Sequence, residues 1–558
     1  MLQHLFVWLI IFIFSMIGGI IIESLGVYKY NDSFLFTTIS GFCLTVVYAQ
    51  IYNLFFPIKS CIALLVLLVI YLLICLIIKN RIKEYFIYIN IKNKIKESFK
   101  NKTAYLLIVF ILVVGVLLLI KSTQMPFDDD DYLYHAQAVK WIETFPLVKG
   151  AGLINSRYGF NPTTFLSYAL FGFSDIFGET IHTISGYIGF ICAVGLMIQA
   201  LNKKDRFAVC GLAVELYYLT CVNQNISSLN TDLVPNLLVC AVITLWLEYR
   251  NTNNYANLSM IIVLIVTMKL SYAFIGLLVI LPIYEYIKNK NYKEILKYVL
   301  IALLIVGPYL FRNYYISGYL LYPLSAIDIF DVPWKLPLSE TKGQAKWIYA
   351  WARIPNQEGV ELVGMPLFKW LPIWWNRAAT IYVKITIIVL LISFIAYVAL
   401  YIIKNIKHKK TDNIQFFVLL ILFIEYVYWQ VTAPDLRFIF SDIYLLLILM
   451  LTSLPFINKL IDYLLSTKLN IVFVIIALVF FSLKIDFIGN EILLVIQHSY
   501  DKYVYELELY KLSKTITFYY SNESYLPGIK YFPAAEYERF LDRIKLLGAD
   551  IKDGFVLK

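Results

Sequence analysis

The stretch AYLLIVFILVVGVLLLIKSTQMPFDDDDYLYHAQ, residues 104–137, decides how the whole chain is read. From Ala104 to Ile120 it carries no charge and is apolar enough to cross a bilayer as a helix. Four adjacent carboxylates, Asp128 to Asp131, follow within a few residues, and then His135. Like charges in a row repel one another and resist being drawn toward lipid. The acidic stretch therefore sits either in water or in a purpose-built site at the mouth of the span.

Immediately before this segment comes KNRIKEYFIYINIKNKIKESFKNK, residues 79–102, the richest basic stretch in the chain. Positive charge beside spans marks the cytoplasmic side, and the pattern reads as an amphipathic connector lying on the membrane surface. Ala104–Ile120 then runs outward, and the acidic stretch opens outside. Further basic segments fall inside by the same alternation: Lys203 to Arg206, Lys288 to Lys297, KNIKHKK at 404–410, and Lys459. Most unusual polar motifs fall outside: GLINSRYGFNP (152–162), SSLNTD (227–232), MKLS (268–271), the loop from Arg312 to Arg377, and APDLRF (433–438).

Working outward, 60% of the 558 residues are hydrophobic, and apolar segments of span length recur along the chain. The class is an all-α polytopic membrane protein, a helical bundle of about 14 spans with the N-terminus outside. Leu5 to Ile22 lacks a basic flank and a small-residue cleavage site, so it reads as a retained span. Lys269 at the centre of one long span would cost roughly 2.5–3.5 kcal/mol, so residues 260–286 are expected as two short helices meeting at that lysine. Residues 163–177 are expected as an interfacial or re-entrant helix. The predicted division is 1–102, three spans and the basic connector; 103–488, the transmembrane core; and 489–558, a small α+β tail on the outer side. The seven cysteines lie in or beside apolar segments without a CxxC pair, which points to neither disulfides nor a metal. The net charge of +10 sits largely in loops between spans and does not call for nucleic acid.

On the outer face, helical spacing places Asp128, Asp131 and His135 together, with Asp130 off that face. Such a cluster can raise one carboxyl pKa, hold a divalent cation through Asp128 and Asp131, or supply a general base. An acidic cap on a surface helix accounts for the same residues. Arg157, Lys269, Arg312, Arg353, Arg377 and Arg437 lie outside, where topology does not ask for positive charge, and they suit a phosphate. Most of the ten Trp lie in or near the outer loop, as an interfacial belt or as stacking platforms for a sugar ring.

The ordered series DDYLYHAQ, GLINSRYGFNPTTF, SSLNTD, MKLS, RNYYISGYLLYP (312–323) and APDLRF resembles a family of large bacterial multi-span membrane proteins. That family in turn is similar to the GT-C superfamily of polyprenyl-phosphate-dependent glycosyltransferases. The resemblance covers the chain from about residue 100 onward, with the first three spans added. It implies transfer of a sugar from a polyprenyl-phosphate-linked donor to a glycan or lipid-linked acceptor, on the extracytoplasmic face of the bacterial inner membrane. It aligns the acidic pair with Asp130 and Asp131, followed by His135, with Asp131 as base. Lys269, Arg312 and Arg437 would stabilise the leaving phosphate, Asp232 and Asp435 would position sugar or cations, and Arg157 and Asn161 would shape the first loop. A surface-polysaccharide polymerase or ligase using diphosphate-linked units is the first rival. A lipid-linked-sugar flippase is the second, disfavoured by the few charges visible within spans.

Overall fold

A computed structural model describes residues 1–26, 33–89, 102–222, 225–355, 357–407, 411–466, 469–485, 506–522, 524 and 526–558. The middle of the basic connector, the end of the 404–410 segment and the predicted boundary at 489 lie outside the described residues. The described chain is mostly helical. Among the described residues nine helices are long and apolar enough to cross a membrane, or ten if the pair Phe440–Leu451 and Pro455–Leu464, bent by 101°, is one span. That is fewer than the expected fourteen. Leu233–Glu248, Thr252–Met268 and Asn470–Lys484 are shorter apolar helices, and residues 163–177 hold only the short helices Thr164–Leu170 and Ser174–Phe177.

At Lys269 the backbone is extended (φ −154°, ψ 116°), ending the Thr252–Met268 helix before a 3-10 segment, Leu270–Val279, begins. The break leaves the lysine at a helix junction, as its charge requires.

The first two helices, Leu2–Gly26 and Phe34–Asn53, pack antiparallel through glycines. A Cβ on Gly41 would run into the Ser15 carbonyl, and one on Gly19 into the Thr37 carbonyl. Small residues allow this backbone approach, which membrane helices use in place of a hydrophobic driving force. The pair is tied to the rest of the bundle. Trp8 Nε1 donates to Thr183 Oγ1 (2.6 Å), and Asn53 Nδ2 donates to the carbonyls of Ile142 (3.3 Å) and Phe145 (3.1 Å).

The tail is α+β, with two antiparallel hairpins, Glu508–Lys511 with Thr517–Tyr520 and Ile544–Leu546 with Phe555–Leu557, and a short helix, Glu538–Asp542. So small a unit buries too little surface to stand alone, and it docks on the segment after the acidic stretch. Trp141 packs against Phe518, Phe532 and Phe555. Gln137 Nε2 donates to the carbonyls of Gly528 (3.1 Å) and Tyr531 (2.7 Å), and Gly528 N donates to the Tyr132 carbonyl (3.0 Å).

Candidate functional site

The Lys102–Ser122 helix carries the chain from its basic end to the acidic stretch, about 30 Å away at 1.5 Å per residue. There Asp131–His135 forms a π-helical turn leading into the helix Ala136–Thr144. Such turns insert a residue into a helix and often mark functional sites. Here the turn draws Asp131 inward. Its carboxylate accepts from Leu229 N (3.1 and 3.2 Å to the two oxygens) and lies 2.9 Å from His135 Nδ1. The expected Asp131–His135 pairing is therefore present. Asp128 leaves that face: its oxygens accept from Asn230 Nδ2 (2.6 Å) and from Asp130 N (3.1 Å).

Exposure separates the acids. Asp131 is 0% exposed, which leaves the expected base no surface for a hydroxyl, whereas Asp130 and Asp128 are partly accessible. Burial pushes the Asp131 carboxyl up to about 6 against the pull of His135 and the Leu229 amide. Burial and the neighbouring Asp128 also raise Asp130. Burial disfavours the His135 imidazolium, yet the hydrogen bond and charge of Asp131, with Asp130 and Asp128 nearby, hold its pKa above the ordinary value.

The loops at 268–271 and 433–438 bring the cations to these acids. Arg437 lies 2.9 Å from Asp435 and 3.9 Å from Asp232, and its charge is felt at Asp130. Lys269 pairs with Asp232 and stands 4.3 Å from the centroid of the Phe438 ring. Asn236 joins the two loops: its Nδ2 donates to the carbonyls of Asp232 (2.9 Å) and Arg437 (3.1 Å), and its Oδ1 accepts from Ser441 N (3.0 Å). Arg157 is committed to Glu536 of the tail at 2.8 Å. Asp128, Asp130, Asp131, Asp232, Asp435, Lys269 and Arg437 thus converge, with more acids than cations.

Arg312 and Asn161 do not join them. Arg312 is 2% exposed and donates from Nε to Asn161 Oδ1 (3.1 Å) and from Nη1 to Asn53 Oδ1 (2.7 Å). Phe165 lies between the two groups, 5.3 Å from the His135 ring on one side and lining the Arg312 cavity on the other. Arg353 is likewise removed, stacked 4.2 Å over Trp370 and donating to the Leu362 carbonyl. A divalent cation fits poorly. Asp128 and Asp131 are turned to different partners, and no group of three His, Cys, Asp or Glu among the described residues is arranged to hold a metal ion.

Several contributors escaped the sequence reading. Asn230 lay within a quoted motif but only the fold shows it holding Asp128. Asn53 and Glu536 come from the two ends of the chain. Glu215, Glu425 and Asp442 are buried in the bundle without an ion-pair partner among the described residues, although single acids in AVELYYL, FIEYVYW and FSDIYLLL were there to be noticed.

A family model described as Domain of unknown function (DUF8201) matches residues 1–444. The chain belongs to this family. The match takes in the first helices as well as every converging acid and cation, and stops before the tail. No curated protein and no solved structure matches the chain.

Proposed function

We propose that this member of the DUF8201 family is a GT-C-like membrane glycosyltransferase, moving a sugar from a polyprenyl-phosphate-linked donor to a glycan or lipid-linked acceptor on the extracytoplasmic face of the bacterial inner membrane. The observation that carries this reading is a partly accessible carboxyl, Asp130, with a raised pKa, facing Arg437 beside the Lys269–Asp232 pair. A base of that kind suits an acceptor hydroxyl. Asp130 takes the hydroxyl proton as the acceptor oxygen attacks the anomeric carbon. The bond from that carbon to the phosphate oxygen breaks, and its electron pair leaves with the lipid phosphate. Asp131 acts behind it by holding His135 and the Leu229 amide in place.

A second reading has its own support. Carboxyls buried within a membrane bundle mark substrate and ion pathways, and Glu425 and Asp442, without an ion-pair partner among the described residues, are electrostatic neighbours on adjoining helices. A carrier or flippase for a lipid-linked sugar would use them.

The test compares surface and lipid-linked glycans by mass spectrometry in a gene deletion complemented with wild type, Asp130→Asn, Asp131→Asn or Asp442→Asn at equal membrane abundance. A transferase loses one sugar or branch in the deletion, and Asp130→Asn fails to restore it. Single repeat units in place of long chains identify a polymerase. Full restoration by Asp130→Asn, with failure of Asp442→Asn, moves the assignment to transport.

A further inference from the structure

Arg312 is the one cation of the predicted set that is both fully buried and without a carboxylate among the described residues. Its two hydrogen bonds end on neutral amides, Asn53 and Asn161, and no described residue accepts from Nη2. Asn161 is held for this by a left-handed backbone (φ +43°) and by donating Nδ2 to Asn313 Oδ1 at 2.9 Å. The guanidinium lines a cavity of about 50 Å³ whose other walls include Trp141, Ile142, Leu147, Phe165 and Ile316. Trp141 Nε1 and the Tyr158 hydroxyl lie side by side in the same wall.

A buried charge is stable only when a counter-charge or a full set of hydrogen bonds replaces its water. Asn53 and Asn161 orient the fork without neutralising it. At the cluster beyond Phe165 the cations Lys269 and Arg437 are already paired with Asp232 and Asp435, whereas Arg312 has no carboxylate among the described residues to compete with an incoming anion.

We infer that the Arg312 cavity is an oxyanion-binding subsite, sized for a single phosphate group and completed by Asn53 and Asn161. The apolar walls favour a phosphate that carries an acyl or prenyl chain, and a free phosphate presents the same chemistry to the guanidinium. The inference goes beyond the glycosyltransferase reading and stands whether or not that reading does, because its test is binding.

The experiment uses the full chain in nanodiscs. In phosphatidylcholine discs, thermal unfolding is followed against inorganic phosphate. In parallel discs containing phosphatidylglycerol, native mass spectrometry counts retained anionic lipid. Arg312→Gln removes the charge. Asn161→Asp keeps it but supplies an internal carboxylate at a residue whose left-handed backbone an aspartate tolerates, so it remains informative if Arg312→Gln fails to fold. Wild type is expected to be stabilised by inorganic phosphate or to retain phosphatidylglycerol, which separates the free anion from the headgroup. Both variants should bind at least about tenfold more weakly, as loss of one charge-assisted pairing requires. Equal response of wild type and Asn161→Asp, or no response by wild type to either probe, overturns the inference.

Discussion

Asp131 and His135 share a buried hydrogen bond, so their protons are tied to folding. The Asp131 carboxyl rises from 3.8 to about 6. A raised pKa means the folded state holds its proton more tightly than the unfolded chain. The resulting stabilisation is complete below about pH 4 and is lost as pH climbs through about 6. The raised His135 value acts in the same direction at higher pH. The shift at Asp131 alone corresponds to about 3 kcal/mol. The unfolding temperature of the purified protein should therefore fall as pH rises from about 4 through about 6, and fall further above that as His135 loses its proton. Asp131→Asn should flatten that slope, because the amide still accepts from Leu229 N but no longer titrates and no longer holds the His135 charge. A wild-type midpoint that does not move over this range would contradict the buried pairing. The sequence pointed to this pair through its four-residue spacing. It could not separate Asp131 from Asp130, since both belong to one acidic run and only burial tells them apart.

Helix ends and close approaches were partly legible. Lys269 announced its own break, because the cost of a charge amid apolar residues outweighs one uninterrupted helix. The π-helical turn at Asp131–His135 had no such signal, and the Leu229 amide that meets Asp131 there lies 98 residues away in the chain. The glycines of the first two helices were present in the sequence, but their partners were not. Gly41 meets the backbone of the neighbouring helix, and a side chain there has no flexible group to push aside. Gly41→Ala should destabilise the chain by about 1–3 kcal/mol, measured as a lowered unfolding temperature in one fixed detergent. An unchanged midpoint would mean that the helices do not approach so closely. Because Asn53 ends the second of these helices and holds Arg312, the same substitution should also weaken phosphate binding.

Across the whole molecule, the bundle and the tail meet on the segment that carries the acids. Trp141, Gln137 and Arg157 all contact the tail, so residues 506–558 brace the acidic loop from above. Sidedness is open to direct measurement. In a background with the native cysteines replaced, Asp129→Cys and Lys545→Cys should both react in intact cells with a membrane-impermeant maleimide. Lys83→Cys should react only after permeabilisation. Labelling of Lys83→Cys alone would invert the proposed orientation. By itself the sequence determined the helical class, the break at Lys269, the α+β character of the tail and the set of loops that hold unusual polar residues. Those follow from local rules: span-length apolar runs, basic flanks, and the cost of charge in lipid. Only the tertiary structure decided which polar residues meet. Arg312 carries the same charge as Arg437 and sits in an equally suggestive motif. Yet Asn53 and Asn161 hold it behind Phe165, while Asn236 draws Arg437 to the acids. Burial and partner choice depend on contacts between residues far apart in the chain, which no local pattern records.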